Sequence, residues 1–274
     1  MEIRKEIREI RRGRKNLIIV LATVIVVSNL IILANSENLV GFTDISRILA
    51  IGSATFLSVM VIVRQGVSGI FGRTYFALAI GIILWLAAET TWGYYELVLQ
   101  EERPFPSFAD ALWLAGYGPV GYHLFAMSKF YGKGVKKYKI VIVVAGIVIF
   151  SALYIQQLYA IFGDVEEGSE LGLVISIAYP IFDAILFMPA LIIVWNSGKG
   201  HLTSIPWIFI SWISLGIADT LLGFLAVHNF EGDIFVINMF YLGAYFCMAA
   251  GLWWYNRFFI FDAKKVSKNL DIQD

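Results

Sequence analysis

The sequence predicts an all-α integral membrane protein, a bundle of eight transmembrane helices with both termini in the cytoplasm. Hydrophobic residues make up 59% of its 274 residues and charged residues 15%, with a mean hydropathy of +0.74. A soluble domain is roughly 45–50% apolar and about 25% charged. A chain of this length cannot bury that apolar excess in a soluble core, because much of any folded surface faces its solvent. We therefore expect the folded chain to face lipid.

Eight apolar stretches are long enough to cross a bilayer, whose core of about 30 Å requires roughly 20 helical residues. The predicted spans are 16–34, 45–63, 75–99, 110–130, 138–160, 171–195, 205–227 and 234–257. Ser53, Thr55 and Ser58 dilute the apolar character of the second span. The first has no small-residue cleavage site, which indicates a membrane helix rather than a signal peptide. The predicted transmembrane domain covers 16–260.

Two polar segments flank this domain. Residues 1–15 place Ile3, Ile7 and Ile10 on one helical face among basic residues, a pattern typical of an amphipathic helix at the inner membrane surface. We interpret this segment as a topology anchor, with a regulatory or partner-binding arm as the alternative. The tail at 261–274 is short and polar, and we expect no output domain there.

The charges alternate between the predicted loops as the positive-inside rule requires. With the N-terminus inside, the cytoplasmic segments hold 19 of the 21 Lys and Arg residues, and the other two are Arg47 and Arg103. The outer loops are acidic instead, as Glu101 and Glu102 illustrate. Adding or removing one span would disrupt this alternation. The charge pattern therefore favours eight spans in a cell membrane, with both termini inside.

The second half of the sequence resembles the first. WLAAETTWGYY in the third span aligns with SLGIADTLLGF in the seventh when Glu89 is placed on Asp219. A tyrosine follows these acids after 28 and 26 residues respectively. An even number of helices per unit makes such a duplication parallel, with an axis along the membrane normal. We predict parallel four-helix repeats at 16–130 and 138–257.

Three carboxyl groups lie deep within predicted spans, where ionisable side chains are costly and usually face the bundle interior. Glu89, Asp183 and Asp219 are predicted to form the polar floor of an outward-facing pocket between the third, fourth, sixth and seventh helices. The other predicted ligand-binding residues are Trp92, Tyr117, His123, Tyr179 and Tyr245. Acids beside aromatic rings suit a cationic or planar ligand.

Three roles are open for these carboxyls. In the first, they are hydrogen-bonding struts between helices. In the second, they line a pocket for a cation, proton or polar ligand. In the third, they are catalytic groups. The sequence indicates no Lys or Arg deep in a helix that would neutralise them.

The loop before the fourth span contains a predicted helix cap. Ser107 and Asp110 place a hydroxyl and an acid three residues apart, as in a capping box. The single cysteine, Cys247, excludes an intramolecular disulfide and is expected to be a buried thiol.

Several catalytic and cofactor motifs are missing from the sequence. It has no HExxH, no GxSxG, no phosphate loop, no histidines at metal-ligand spacing and no transmembrane lysine for a retinal Schiff base. We therefore predict no catalytic residues, no metal, no cofactor and no nucleic-acid partner.

Three short motifs carry a family resemblance. They are Pro106-Ser-Phe-Ala-Asp110-Ala-Leu-Trp-Leu-Ala-Gly-Tyr117, Tyr179-Pro-Ile-Phe-Asp183 and Ala218-Asp219. Over about residues 75 to 255 the chain resembles the multi-helix membrane region found N-terminal to some prokaryotic diguanylate cyclases and sensor kinases. The resemblance implies a membrane sensory module, without implying its ligand. The chain departs from that family in having no recognisable cyclase or kinase domain.

The leading hypothesis is therefore a non-enzymatic sensory or ligand-binding membrane protein. Its expected partners are the lipid bilayer, a small ligand or ion, and a separate cytoplasmic signalling protein. A small transporter or proton-coupled carrier is the first alternative. A membrane enzyme acting on lipid or isoprenoid is the second.

Overall fold

The computed structural model describes residues 2–35, 38–101, 105–131, 135–162, 170–196, 206–227 and 235–257. These residues form α1 Glu2–Ala34, α2 Leu39–Gln65, α3 Gly69–Tyr94, α4 Phe108–Tyr131, α5 Lys137–Phe162, α6 Glu170–Asn196, α7 Pro206–Val227 and α8 Phe235–Trp254. A π-helical turn, Tyr95–Leu99, extends α3. No strand occurs within these ranges, so the all-α prediction is confirmed.

Six helices in the described part of the chain are long and apolar enough to cross a membrane. Their apolar spans are Lys15–Ala34, Leu39–Gln65, Gly69–Leu99, Lys137–Gln156, Val174–Ile193 and Val236–Arg257. This confirms the prediction of a helical membrane protein. Helix α7 has a shorter apolar stretch, Trp207–Leu222. Helix α4 is not one of the six, and its residues Asp110, Pro119 and His123 lower its mean hydropathy.

The helix boundaries differ from the predicted spans in two places that matter. The N-terminal segment is continuous with the first apolar span in the single helix α1. Helix α2 begins at Leu39, six residues before the predicted start at 45, so Asp44 and Arg47 lie inside it. The predicted tail at 261–274 and the loop residue Arg103 lie outside the described residues.

Six helices pack as a closed ring in the order α2, α3, α4, α6, α7, α8 and back to α2. Helix α1 packs outside this ring against α8 and α2, and α5 packs outside it against α6 and α7. Cys247 is buried where α8 meets Leu21 of α1, as expected for an inert thiol. The order of neighbouring helices around the ring is the same when α2, α3 and α4 are exchanged for α6, α7 and α8.

Glycines allow α3 and α4 to pack most closely. A Cβ on Gly81 would lie 2.6 Å from Val120 Cγ2, and one on Gly116 would overlap the indole of Trp85. Membrane helices use small residues in this way, because close backbone approach increases van der Waals contact. The Trp85 Nε1–H donates to the Trp113 carbonyl oxygen at 3.0 Å, which fixes α4 against α3.

Candidate functional site

Three acids inside the ring each accept a hydrogen bond from a tyrosine hydroxyl on another helix. The bonds are Tyr245 to Glu89 at 2.5 Å, Tyr117 to Asp183 at 2.7 Å, and Tyr241 to Asp219. We call these six residues the carboxyl–tyrosine cluster. It joins α3, α4, α6, α7 and α8, so all three predicted carboxyls lie in one connected site.

The cluster lies in the half of the bundle towards the ends of α3 and α7. Glu89 precedes the end of the π-helical turn by roughly ten residues, which is about 15 Å of helix. Asp219 precedes the end of α7 by roughly eight residues, about 12 Å. Asp183 is near the middle of α6, roughly 13 residues from its start. The site therefore lies well inside the bundle rather than at the helix ends.

Two carboxyls of the cluster, Asp183 and Asp219, are close enough to interact electrostatically, and each accepts a hydrogen bond from its own tyrosine. Asp183 is 7% exposed, and its Oδ2 atom receives no hydrogen bond from the described residues. Asp219 is only partly buried. A buried oxygen without a donor is uncommon in folded proteins, so this atom indicates a place where a further donor would bind.

A basic side chain also reaches the cluster, which corrects the sequence prediction. Arg47 Nη2 lies 2.8 Å from Asp44 Oδ1, and Arg47 Nε lies 3.7 Å from Glu89 Oε2. Its guanidinium carbon is 5.8 Å from the ring centroid of Tyr241. With the second span predicted to start at 45, Arg47 was expected at its outer end, and no Lys or Arg was expected near the acids, which was wrong. Because α2 begins at Leu39, Arg47 lies roughly 12 Å inside the helix and faces the bundle.

Two further acids accompany Arg47. Asp44 is 2% exposed, and its Oδ2 atom has no donor among the described residues. Glu96, in the π-helical turn, is half-buried and close to Asp44, Arg47 and Trp92. Within the described ranges, Arg47 is the one basic side chain that contacts this group of acids. The site therefore holds more carboxyl groups than cationic side chains.

Aromatic rings surround the acids. Trp85 packs edge-on against Tyr117 at 5.6 Å and against Trp212 of α7 at 5.1 Å. Trp92, a predicted site residue, packs against Trp113 at 5.6 Å, and the Trp113 side chain also interacts with Glu89. These contacts place indole and phenol rings beside the acids at the interfaces of α3, α4 and α7.

The predicted cap adjoins the cluster. The Ser107 backbone N–H and hydroxyl donate to Asp110 Oδ2 at 2.7 and 2.9 Å. The Tyr179 hydroxyl donates to Asp110 Oδ1 at 2.9 Å, and the Tyr179 ring lies 6.4 Å from that of Tyr117. The structure therefore places Tyr179 in the connection between the start of α4 and α6, one ring away from the carboxyls.

The structure does not bring His123 to the cluster. Its Nδ1 atom lies 3.1 Å from the Thr74 carbonyl oxygen, and its ring packs against Tyr75 at 5.0 Å. Thr74 precedes Glu89 by roughly 15 residues of α3, which separates the two by about 22 Å along the helix. His123 is a buried packing residue with its ring fixed by a backbone carbonyl.

Comparisons of the chain with protein-family models, curated proteins and solved structures found no match. Among the described residues, no group of three or more His, Cys, Asp or Glu side chains is arranged to hold a metal ion. What the fold and the site define is a class: a helical membrane protein with a buried, acidic, aromatic-lined cluster between its helices.

Sequence reasoning missed Arg47, Asp44 and Tyr241 as members of this site. A signal for Arg47 existed, since the apolar residues from Leu39 onwards precede it by two helical turns. A signal for Tyr241 lay in the internal duplication, since Trp113-Leu-Ala-Gly-Tyr117 aligns with Tyr241-Leu-Gly-Ala-Tyr245.

Proposed function

We propose that this chain is a multi-pass membrane sensor with eight spans and both termini in the cytoplasm, and that the carboxyl–tyrosine cluster binds a small organic ammonium ion. The excess of buried acids over Arg47 carries this proposal. Buried charges are costly unless they are paired and hydrogen-bonded. A cationic ligand would supply the charge that the described residues do not.

The two oxygens without donors refine the chemistry of the ligand. Asp183 Oδ2 and Asp44 Oδ2 are buried acceptors that receive no hydrogen bond from the described residues. A primary ammonium group carries three N–H donors, whereas a quaternary ammonium group carries none. The surrounding indole and phenol rings add cation–π attraction for either ion. The site therefore favours a primary amine in its protonated form.

The ring of helices supports the proposed parallel repeats. The order of neighbouring helices around the ring is preserved when the two halves are exchanged, as two related four-helix units require. Glu89 and Asp219 occupy matching positions in the halves, as do Trp113 and Tyr241. The Tyr245 hydroxyl reaches from the second half to Glu89 in the first. In membrane proteins with internal repeats, ligand sites commonly lie at the interface between the repeats.

The same packing supports eight spans. Helices α4 and α7 are members of the closed ring, so their less apolar faces contact other helices rather than lipid. In the resemblance noted above, such a module passes its signal to a cytoplasmic domain. Helix α8 would carry this signal, because it has Tyr241 and Tyr245 at the site and ends next to Arg257, at the proposed cytoplasmic end of the bundle. A separate signalling protein would receive the signal.

The test is a thermal-shift measurement on the purified full-length chain in detergent. Three probes separate charge from hydrogen bonding: propylammonium has both, tetramethylammonium has charge alone, and propanol has neither charge nor N–H donors. We expect propylammonium to stabilise the protein most, since a ligand bound only by the folded state adds about 2.7 kcal/mol at a hundred times its Kd.

The matched variants are Asp183→Asn in the cluster and Glu101→Gln on the exposed surface at the same end of the bundle. Asp183→Asn should abolish the propylammonium shift, whereas Glu101→Gln should retain it. If no probe shifts the wild-type transition and Asp183→Asn only lowers it, the carboxyls are structural struts and the proposal is wrong.

The neighbouring carboxyls Asp183 and Asp219 favour a second candidate, a proton-coupled carrier. Two interacting carboxyls, each bonded to a tyrosine hydroxyl, offer exchangeable protons on four neighbouring helices. Proteoliposomes containing a pH-sensitive dye distinguish the candidates. A carrier would move protons across the bilayer when amine is added on one side, and Asp183→Asn would stop this movement. A sensor would bind the amine without any flux.

A further inference from the structure

A groove of about 380 Å³ lies between α2 and α8 at the opposite end of the bundle from the carboxyl–tyrosine cluster. Helix α2 contributes Phe56, Met60 and Arg64 to its wall, and the other wall holds Trp253 of α8 and Arg257, just beyond the end of α8. The α2 residues follow at intervals of four, so they share one helix face. The groove therefore lies along one face of α2, next to the end of α8.

The lining changes from apolar to cationic along the helix axis. Phe56 is 66% exposed and Trp253 is 41% exposed, although both are large and apolar. Arg64, roughly 12 Å further along α2, and Arg257 are also exposed and lie next to the helix ends. The apolar trench suits the acyl chain of a phospholipid, and the two guanidinium groups at its end suit the phosphate group of the same lipid.

The floor of the groove is fixed by a bond between the helices. Asn256 is buried, and its Nδ2 donates to the Leu57 carbonyl oxygen at 3.1 Å and to the Leu252 carbonyl oxygen at 3.2 Å. This side chain ties α8 to α2 beneath the groove. The trench therefore lies where a side-chain hydrogen bond joins the two helices.

We propose that this groove binds one anionic phospholipid, with its phosphate between Arg64 and Arg257 and one acyl chain along Phe56 and Met60. Guanidinium groups recognise phosphate oxygens through paired, charge-assisted hydrogen bonds. Basic pockets between membrane helices bind acidic lipid headgroups for the same reason. The bound lipid would lie across α2 and α8, the two helices that carry Arg47 and the tyrosines of the distant cluster. The site is independent of the proposed amine ligand.

The experiment is native mass spectrometry of the full-length chain, titrated in detergent with phosphatidylglycerol or with phosphatidylcholine of identical acyl chains. We expect tighter binding of phosphatidylglycerol. Removing both charges in Arg64→Gln/Arg257→Gln should weaken it roughly 30-fold, since each basic side chain near an acidic headgroup contributes about a factor of five. The charge-retaining pair Arg64→Lys/Arg257→Lys should keep most of the selectivity.

The control variant is Arg73→Gln/Lys129→Gln, which removes two exposed charges at the same end of the bundle but outside the groove. It should bind phosphatidylglycerol as the wild type does. Equal loss in both double variants would show that general surface charge attracts the lipid, and the groove assignment would be wrong. Displacement of the lipid by inorganic phosphate at millimolar concentration would show an anion site instead of a lipid site.

Discussion

Arg47 is the residue whose removal tests the electrostatic reasoning most directly. It is 14% exposed and lies between Asp44 and Glu89, which are 2% and 3% exposed. Arg47→Met leaves both acids buried without their cationic neighbour. Removing one partner of a buried ion pair typically costs about 3–5 kcal/mol, because the other charge is left uncompensated. We expect a loss of this size in the free energy of unfolding.

The distances predict how this cost divides between the two acids. With an effective dielectric constant of about 20, unit charges attract by roughly 6 kcal/mol at the Asp44 separation and roughly 4.5 kcal/mol at the Glu89 separation. Desolvation offsets most of both attractions. The Asp44 contact at 2.8 Å adds a charge-assisted hydrogen bond that the Glu89 contact at 3.7 Å lacks. We therefore expect coupling energies of about 2–3 kcal/mol for Arg47 with Asp44 and about 1 kcal/mol with Glu89.

Double-mutant cycles measure these couplings. Arg47→Met is combined in turn with Asp44→Asn, Glu89→Gln and the exposed control Glu101→Gln, and unfolding is followed by titration with sodium dodecyl sulfate in mixed micelles. The control should be additive within about 0.5 kcal/mol, as distant sites usually are. If the effects of Arg47→Met and Glu89→Gln on the free energy of unfolding are equally additive, Arg47 does not interact electrostatically with Glu89. The argument from charge for a cationic ligand would then be wrong.

Two further substitutions test the packing and the hydrogen bonds. Gly116→Ala would place a methyl group on the Trp85 indole and should destabilise the protein by about 1–3 kcal/mol. Gly118→Ala, on the same helix with no atom within 4 Å of its Cβ, should have little effect, and thermal unfolding compares the two. Tyr117→Phe removes the donor to Asp183 and should cost about 1–3 kcal/mol, since the carboxyl stays buried. A stability equal to wild type would show that this bond is not formed.

The sequence indicated several residues of the site, but not which of them bond to one another. Glu89, Asp183 and Asp219 were identified because carboxyls in apolar helices are rare and costly. Tyr117 and Tyr245 were identified from their spacing to the acids. Which tyrosine bonds to which acid was not predictable, because Tyr245 donates to Glu89, a residue 156 positions away. Only the closed ring of helices brings α3 and α8 into that contact.

His123 and Arg47 show the limits of placing side chains by span alone. Both lie in helices, and their depth follows from where each helix begins. Because α2 begins six residues earlier than predicted, Arg47 lies about 9 Å further from the helix start than expected, in the bundle interior rather than at the outer end of the span. His123 is on the correct helix, but its depth puts it beside Thr74 instead of the carboxyls. Boundaries are the least certain part of a sequence-based assignment.

Composition and hydropathy by themselves determined that this chain is a helical membrane protein, because the apolar excess has no other solvent. They also determined that its few buried acids face other helices. The tertiary structure decided which tyrosine meets which acid, that Arg47 joins them, and that α2 and α8 enclose a groove lined by Arg64 and Arg257. These depend on the order of helices around the ring and on their vertical offsets. Both are set by side-chain packing over long sequence separations, which local patterns do not encode.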